Sequence, residues 1–316
     1  MKKNKNFLLH TPVLLDEVTN FLSLNKNHLY LDGTFGDGGH SKAILEKNKN
    51  CKVIAIDRDP DVLEIGKVFK KKYNERFKLI LGRISNLEKI LNKENITKVN
   101  GVLFDLGVST RQIRDSDRGF SFQKNGPLDM RMEKKGITAA DFLDAQRNVN
   151  KLSNIIFSFG EEKKSRKIAK AIIEYKKNKK IKTTKELANI IMSVKRLKNK
   201  KINPCTKTFQ AIRIYINNEL DEIQKGLIAT KNILVKGGRM VVISFHSLED
   251  RIIKDFLYKH SGKIYNKSRY LPQETPNINS RPSFKILTKK VVRPKIKEIR
   301  SNFYSRSAKL RAAERL

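Results

Sequence analysis

Cysteine, histidine, acidic residues and long apolar runs are all scarce in this chain, and each scarcity removes a class of protein. Only Cys51 and Cys205 occur in 316 residues, which excludes a disulfide framework of the secreted kind. Five scattered histidines and those two thiols offer no cluster at metal-ligand spacing, so no metal is expected. No stretch is apolar for long enough to span a membrane. Met1-Lys2-Lys3 can open a signal peptide, but the apolar run Phe7-Leu8-Leu9 is short and is broken at once by His10, Pro12, Asp16 and Glu17. A cytoplasmic location is the expectation. No internal repeat is visible.

What abounds is positive charge. Lys and Arg number 68 against 32 Asp and Glu, a net charge of +36. Such a surplus must sit on the surface, where it repels itself unless a polyanion neutralises it. Nucleic acid is the obvious polyanion. A bias towards Lys, Asn and Ile, as in Lys47-Asn48-Lys49-Asn50 and Lys198-Asn199-Lys200-Lys201, also inflates Lys without functional demand, so the motifs must carry the case further. Hydrophobic residues make up 39%, enough for a core. The length suits one large domain with an insertion, or two domains of ordinary size.

The first third alternates short β runs with helical ones. Leu29-Tyr30-Leu31 ends in Asp32, Val53-Ile54-Ala55-Ile56 in Asp57, Phe77-Lys78-Leu79-Ile80-Leu81 near Gly82, and Val102-Leu103-Phe104 in Asp105. Helical segments such as Ser41 to Lys47 and Asp61 to Lys72 lie between them. This alternation predicts a doubly wound α/β fold with a mostly parallel sheet, whose ligands bind beyond the carboxyl ends of the strands. Three of the four strand ends carry an aspartate. After Asp105 a long loop from about Ile113 to Met132 leads into helices over Thr138 to Gln146, Leu152 to Phe159, Ser165 to Lys176 and Thr184 to Leu197, read as an inserted helical subdomain. From Thr208 a helix with Phe209, Ile212, Ile216, Leu220, Ile223 and Leu227 on one face is expected to stop at Gly237-Gly238. A fifth strand, Met240 to Ile243, ends at Ser244-Phe245-His246-Ser247, and the basic tail is expected to hold a terminal strand pair. The expected domains are 1–112 with 206–316, and 113–205.

Asp32-Gly33-Thr34-Phe35-Gly36-Asp37-Gly38-Gly39-His40 follows a strand and opens a helix. Its glycines can let backbone amides approach a ligand closely, although a tight strand-to-helix turn that binds nothing would also use them. The spacing is not G-x-G-x-x-G, which weakens a pyrophosphate-binding reading. Asp57, closing the next strand, can accept both hydroxyls of a ribose, each charge-assisted bond being worth roughly 1.5–3 kcal/mol. An NAD enzyme would use it the same way, so Asp57 points to a nucleoside without saying which.

Together with that turn, Asp105-Leu106-Gly107-Val108-Ser109, Arg118-Gly119-Phe120-Ser121-Phe122, Gly126-Pro127-Leu128-Asp129-Met130-Arg131-Met132 and Ile243-Ser244-Phe245-His246-Ser247-Leu248-Glu249-Asp250-Arg251 resemble one bacterial family, the 16S rRNA cytosine-N4 methyltransferases (small subunit methyltransferase H, or MraW). The resemblance runs from His10-Thr11-Pro12-Val13-Leu14-Leu15 to Ser305-Arg306-Ser307-Ala308-Lys309-Leu310-Arg311. It implies a Rossmann-like class I S-adenosylmethionine-dependent methyltransferase sheet with an inserted all-helical subdomain. By the same resemblance the cofactor contacts fall on Gly38, Gly39, His40, Asp57, Ile84, Asp105 and Gln112. Ile84 departs from the pattern, since the family often has Phe there, though an aliphatic chain can still pack on adenine. The implied substrate is the N4 amino group of a cytidine in the decoding region of 16S rRNA, within a partly assembled small ribosomal subunit. A homodimer stays open.

The exocyclic nitrogen of cytosine is a poor nucleophile because its lone pair is delocalised into the ring. An acceptor for one of its hydrogens, and alignment of nitrogen, methyl carbon and sulfur, would both help. Asp105 and the Leu106-to-Ser109 backbone stand where amino-methyltransferases keep such acceptors. Ser244, Phe245 and His246 close the fifth strand, with Phe245 a candidate for stacking on the base and Ser244 or His246 for hydrogen bonds. His246 is equally well read as a structural hydrogen-bonding partner. The leaving proton can pass to water, so no strong base is required. Cytosine-C5 chemistry would need a cysteine nucleophile. Cys205, in Asn203-Pro204-Cys205, lies at the edge of the helical insert, and Cys51 lies before a strand, so neither is placed for it.

Basic residues interleave with aromatics from Lys259 to Lys290, including Tyr265, Arg269, Tyr270, Arg281 and Phe284, a pattern suited to phosphate tracking and base stacking or to a solvated Lys-rich loop. A base within a duplex would have to be flipped out to react. An amino-methyltransferase for DNA or protein, a nucleotide-dependent oxidoreductase, and a non-catalytic RNA-binding or assembly factor remain as alternatives.

Overall fold

The computed structural model describes residues 12–25, 27–195, 203–262 and 281–316. The chain divides into two compact units, Met1–Gly107 with Leu220–Leu316, and Val108–Glu219. In chain order, the first begins with α1 (Leu15–Leu22), β1 (Leu29–Asp32), α2 (Gly39–Lys47), β2 (Lys52–Asp57), α3 (Leu63–Tyr73), β3 (Phe77–Leu81), α4 (Leu87–Lys93) and β4 (Val99–Asp105). The second contains α5 (Thr110–Arg114), α6 (Ala139–Ala145), α7 (Val149–Gly160), α8 (Ser165–Asn178), α9 (Thr184–Val194) and α10 (Thr206–Asn217). The first unit resumes with α11 (Glu219–Ile233), β5 (Leu234–Ser244), α12 (Ser247–His260), β6 (Phe284–Ile286), α13 (Ile296–Ser301) and β7 (Lys309–Arg315).

The seven strands form one sheet in the order β3-β2-β1-β4-β5-β7-β6. The first five run parallel, and β7 lies antiparallel between β5 and β6. Successive side chains of a strand point to opposite faces, and here both faces are apolar. Tyr30, Val53, Ala55, Leu103, Val241 and Ile243 pack with α1, α2 and α3. Their neighbours Leu31, Ile54, Ile56, Val102, Phe104 and Val242 pack with α4, α11 and α12. Burial on both faces is why these strands read as near-continuous apolar runs rather than alternating ones.

The second unit is helical around its own core of Leu152, Ile156, Ile168, Ile172, Leu187, Ile191, Phe209 and Ile212. Thr138 and Thr183 start α6 and α9 with reciprocal capping boxes to Asp141 and Glu186. Arg118, only 5% exposed, donates to the carbonyls of Arg131 and Met132, which pins the loop that the sequence shows as irregular.

Four expectations change. The helix expected to run from Thr208 to the glycine pair is broken at Asn218, whose backbone is left-handed (φ 51°). Its first half, α10, belongs to the second unit because Phe209 and Ile212 fill that core, so the boundary expected at 206 falls after Glu219. Gly237-Gly238 do not end a helix. They lie inside β5, where pairing shifts from Val99↔Leu234 to Gly101↔Arg239; Gly237 takes φ +77° in this bulge. Phe284 is buried in β6 at 1% exposure, so it is a core residue and not a stacking surface. Tyr265, Arg269 and Tyr270 of the same basic stretch lie outside the described residues, as do His10, Thr11 and Lys198 to Lys201. No helix among the described residues is long and apolar enough to cross a membrane.

Candidate active site

Register puts three carboxylates on one edge. Asp32 pairs with Ala55 of β2 and with Leu103 of β4. Asp57 and Asp105 each lie two residues further on, at the ends of the strands flanking β1. In a protein of net charge +36, the carboxyl edge of the sheet thus concentrates acid.

The turn after β1 is stitched to both flanking strands. Gly33 N donates to Leu103 O (2.9 Å) and Phe35 N to Ile56 O (3.0 Å). Thr34 Oγ1 accepts from Asp105 N at 2.6 Å. Gly36 N donates to Asp57 Oδ2 at 2.7 Å, and Asp59 N to Asp57 Oδ1 at 2.9 Å. Asp32 is 1% exposed and secures the turn from within, accepting from Thr34 N and from Ser41 Oγ (2.7 Å). The sequence reading counted Asp32 among the strand-end aspartates but gave neither it nor Thr34 a role in building the site, although both stand in the glycine-rich string.

The glycines turn out to be demanded by the protein itself. A Cβ on Gly33 would strike the Phe104 ring, one on Gly38 the Phe69 and Phe35 rings, and one on Gly39 Pro12. Gly36 and Gly38 also take positive φ. The absent side chains make room for neighbouring side chains, and the turn presses against its own core. Open space appears instead at Gly107 (φ +98°), where an added Cβ would meet only Phe245 Cδ2, at 3.7 Å.

Asp105 is the least satisfied carboxylate. Its Oδ1 is buried without a hydrogen-bond partner, and its Oδ2 lies 3.6 Å from His40 Nδ1. Burial pushes its pKa up to about 6; His40 pulls it back, while Asp32 and Glu249 push it further up. Asp57 is also raised to about 6, by burial first, against the pull of the Asp59 and Gly36 N–H groups and with the push of Asp59 and Asp32. Burial raises Asp32 as well. An acceptor left unpaired in a buried position costs free energy unless a ligand completes it.

The other expected site residues are placed as follows. His40 is buried at the start of α2; its Nε2 contacts Val13 O at 3.0 Å, so both ring nitrogens face protein atoms. Ile84 follows β3, half-buried against Gly33 and Gly226. Phe245 is half-buried beside Gly107, and its N donates to Glu249 Oε2 at 2.8 Å. His246 is the N-cap of α12: its Nδ1 accepts from Glu249 N (3.3 Å), and Glu249 Oε2 accepts from His246 N (3.2 Å). Its Nε2 is 3.1 Å from Glu249 Oε1, within ion-pair range but not aligned as a hydrogen bond. Ser244 is fully buried, its hydroxyl donating to Lys309 O (3.4 Å); it holds β7 to β5 and is corrected from substrate contact to strand residue. Gln112 belongs to the second unit, where its Oε1 accepts from Ser109 N at 2.9 Å in a capping box. Cys51 and Cys205 are both buried, and burial raises both thiols, Cys205 to about 11, the opposite of an activated nucleophile.

Residues 7–316 match the model of the MraW methylase family. The ribosomal RNA small subunit methyltransferase H of Paramagnetospirillum magneticum is 45% identical over 306 residues, covering 97% of this chain and 95% of that protein. The protein of that name in Rickettsia africae is 46% identical over 305 residues, with 96% and 97% covered. The one in Wolbachia sp. subsp. Drosophila simulans is 45% identical over 310 residues, with 98% and 100% covered. A solved rRNA methylase from Streptococcus thermophilus has a TM-score of 0.39 and 12% identity, covering 98% of this chain and 99% of that one, too loose a likeness to bear on the assignment. Matched by the family model almost throughout, and nearly half identical to these relatives along their lengths, the chain belongs to the MraW methylase family.

Proposed function

We propose that this chain is an S-adenosylmethionine-dependent methyltransferase that methylates the N4 amino group of a cytidine in the decoding region of 16S rRNA, cytidine 1402 in the family pattern. The observation that carries the reading is the row of three carboxylates at the ends of adjacent strands, with Asp105 Oδ1 buried and unpartnered among them. An acidic edge in a strongly basic protein suits a ligand that is itself cationic and rich in hydroxyl and amino donors. S-adenosylmethionine has that donor set, and when bound it supplies an electrophilic methyl group on a sulfonium centre.

Asp57 would hold the ribose hydroxyls: its oxygens are fixed by the Gly36 and Asp59 amides, and each retains a free lone pair. Ile84 would pack on the adenine. Gly38 and Gly39 would bring the start of α2 against the cofactor through their backbone, while the His40 ring would serve Asp105 rather than the cofactor. Asp105 is proposed both as a cofactor contact and as the strand-end acceptor for an amino hydrogen, which keeps the nitrogen lone pair available. Phe245 would stack on the base. Once the methyl group has passed from the sulfonium sulfur to N4, the N4 proton would pass to water, so no strong base among these residues is required. His246, whose Nδ1 accepts from Glu249 N, would act by capping α12.

The test is to incubate the purified protein with radiolabelled S-adenosylmethionine and small ribosomal subunits lacking the modification, then digest the RNA and separate its nucleosides. Label in N4-methylcytidine is the expected result. Label in another nucleoside, in DNA or in protein would reassign the acceptor. Cofactor binding without transfer to any of these would favour an assembly role.

A further inference from the structure

A surface next to the catalytic edge has an inverted burial pattern. In Asn302-Phe303-Tyr304-Ser305, the two polar residues are buried, at 8% and 0% exposure, while the two aromatic rings between them are exposed at 62% and 45%. The backbone is held firmly in this arrangement. Asn302 N donates to Glu298 O at 2.7 Å, Ser305 Oγ to Asn302 O at 2.7 Å, and Ala308 N to Ser305 O at 2.8 Å. Folding alone would favour the opposite choice, rings inward and amide outward. Two large rings left in water on a rigid turn indicate a binding surface.

The surroundings define its chemistry. The Arg306 guanidinium lies 4.3 Å from the Phe303 ring centroid, stacked as a cation on an aromatic face. Arg293, Lys295, Lys297 and Arg300 are exposed nearby in sequence on α13 and just before it. The one acid in this stretch, Glu298, is turned inward, its Oε1 accepting from Leu14 N at 2.8 Å. Among the described residues from Arg293 to Lys309, the patch therefore offers rings and cations, and its single carboxylate is engaged by Leu14 N.

Topology puts it beside the site. Because β7 runs antiparallel to β5, its first residue, Lys309, pairs with Ser244 at the last residue of β5. The 3₁₀ turn Phe303–Ser307 leads directly into β7 and so sits at the carboxyl edge of the sheet, where Asp105 and Phe245 lie. The Glu298 bond also ties α13 to Leu14, next to the Val13 carbonyl that holds His40.

We infer that Phe303, Tyr304 and Arg306 form a stacking platform for unpaired nucleotides flanking the target base, with the cations of α13 tracking their phosphates. The inference deepens the RNA reading above and rests on it. Unpaired bases stack on aromatic rings regardless of sequence, and each stacked base contributes enough that losing a ring weakens binding by roughly five- to a hundredfold.

The experiment measures fluorescence anisotropy of a fluorescein-labelled single-stranded pyrimidine oligoribonucleotide with the full chain. Alongside it are run S-adenosylmethionine affinity by calorimetry, sedimentation for oligomeric state, and methyl transfer to small subunits. Phe303→Ala/Tyr304→Ala should weaken oligonucleotide binding about tenfold or more and leave cofactor affinity and Tm unchanged. Phe303→Tyr/Tyr304→Phe should bind like the parent. Arg306→Ala should lower the slope of log affinity against log salt by about 0.7, the value for one phosphate on a single strand. Unchanged oligonucleotide binding in the double-alanine variant would overturn the platform, as would a change confined to oligomeric state. If the parent chain binds the oligonucleotide through these rings but methylates no RNA, the platform stands and the activity assignment fails.

Discussion

His40 links a backbone carbonyl to a carboxylate: its Nε2 donates to Val13 O at 3.0 Å, and its Nδ1 faces Asp105 Oδ2 at 3.6 Å. A carbonyl oxygen only accepts, so the hydrogen on Nε2 is fixed, and with it the orientation of the ring towards Asp105. His40→Ala should leave the Val13 carbonyl buried without a donor and destabilise the fold by about 1–3 kcal/mol. Urea denaturation reads this directly. A variant as stable as the parent would show that the carbonyl is satisfied another way.

Asp105→Asn tests the dual role given to the strand-end acceptor. Turnover and S-adenosylmethionine affinity should fall together, each by roughly tenfold or more, a single charge-assisted bond being worth about 1.5–3 kcal/mol. Turnover falling alone would make Asp105 a partner of the base and remove it from the cofactor site.

The same substitution should stabilise the folded chain. Asp105 moves from an ordinary 3.8 to about 6 on folding, so between those values the folded state binds the proton that the unfolded state has released. Stability is lost as pH rises through that window, up to about 3 kcal/mol, less what the exposed quarter of the side chain recovers from solvent. Neither carboxylate oxygen of Asp105 accepts a backbone N–H, so an amide removes this cost without orphaning a donor. The Tm of Asp105→Asn should exceed the parent's by several degrees above pH 7 and converge with it below pH 4. Parallel Tm curves across that range would contradict the raised pKa.

Two glycines with the same φ of +77° separate conformational strain from packing. Gly237→Ala meets nothing within 4 Å and should cost about 1–2 kcal/mol, the penalty of a left-handed residue. Gly38→Ala adds a collision with the Phe69 and Phe35 rings and should cost about 2–5 kcal/mol. It should also abolish cofactor binding, since the start of α2 must move. Equal losses by thermal denaturation would show that the two rings give way.

His246→Ser replaces the Nδ1 acceptor at the N-cap of α12 with a hydroxyl oxygen, whereas His246→Ala removes the cap. The alanine variant should lose about 1 kcal/mol and the serine variant little of it, with turnover near the parent's in both. A serine variant that is stable but inactive would restore the histidine as a proton acceptor.

The parallel half of the sheet was legible because three of its strands are mostly buried and end in aspartate, so Leu29 to Asp32, Lys52 to Asp57 and Val99 to Asp105 stand out as apolar runs with a polar stop. The break at Asn218 was not, because the apolar spacing from Phe209 to Leu227 continues through it and only one left-handed residue interrupts the backbone. Gly237-Gly238 misled for a related reason: a glycine pair marks a change of direction, and a bulge inside a strand writes the same letters as the end of a helix. At the site, Asp57, Asp105 and His40 could be read from the sequence, while the partners that fix them could not. The Val13 carbonyl and the Thr34 hydroxyl act across the fold, and backbone carbonyls leave no trace in a pattern of side chains.

The helical unit leaves the chain after β4 and returns it before β5, yet those two strands are neighbours, with Asp105 paired to Ile243. Strands β1 to β4 can assemble from local connections. The edge that completes the Asp105 surroundings must wait until a whole intervening unit has been threaded out and closed back. Loop-closure entropy is then spent before any contact rewards it, and topology of this kind slows folding. During synthesis the three strand-end carboxylates therefore leave the ribosome well before the Phe303–Ser307 turn, which emerges only with the final strand.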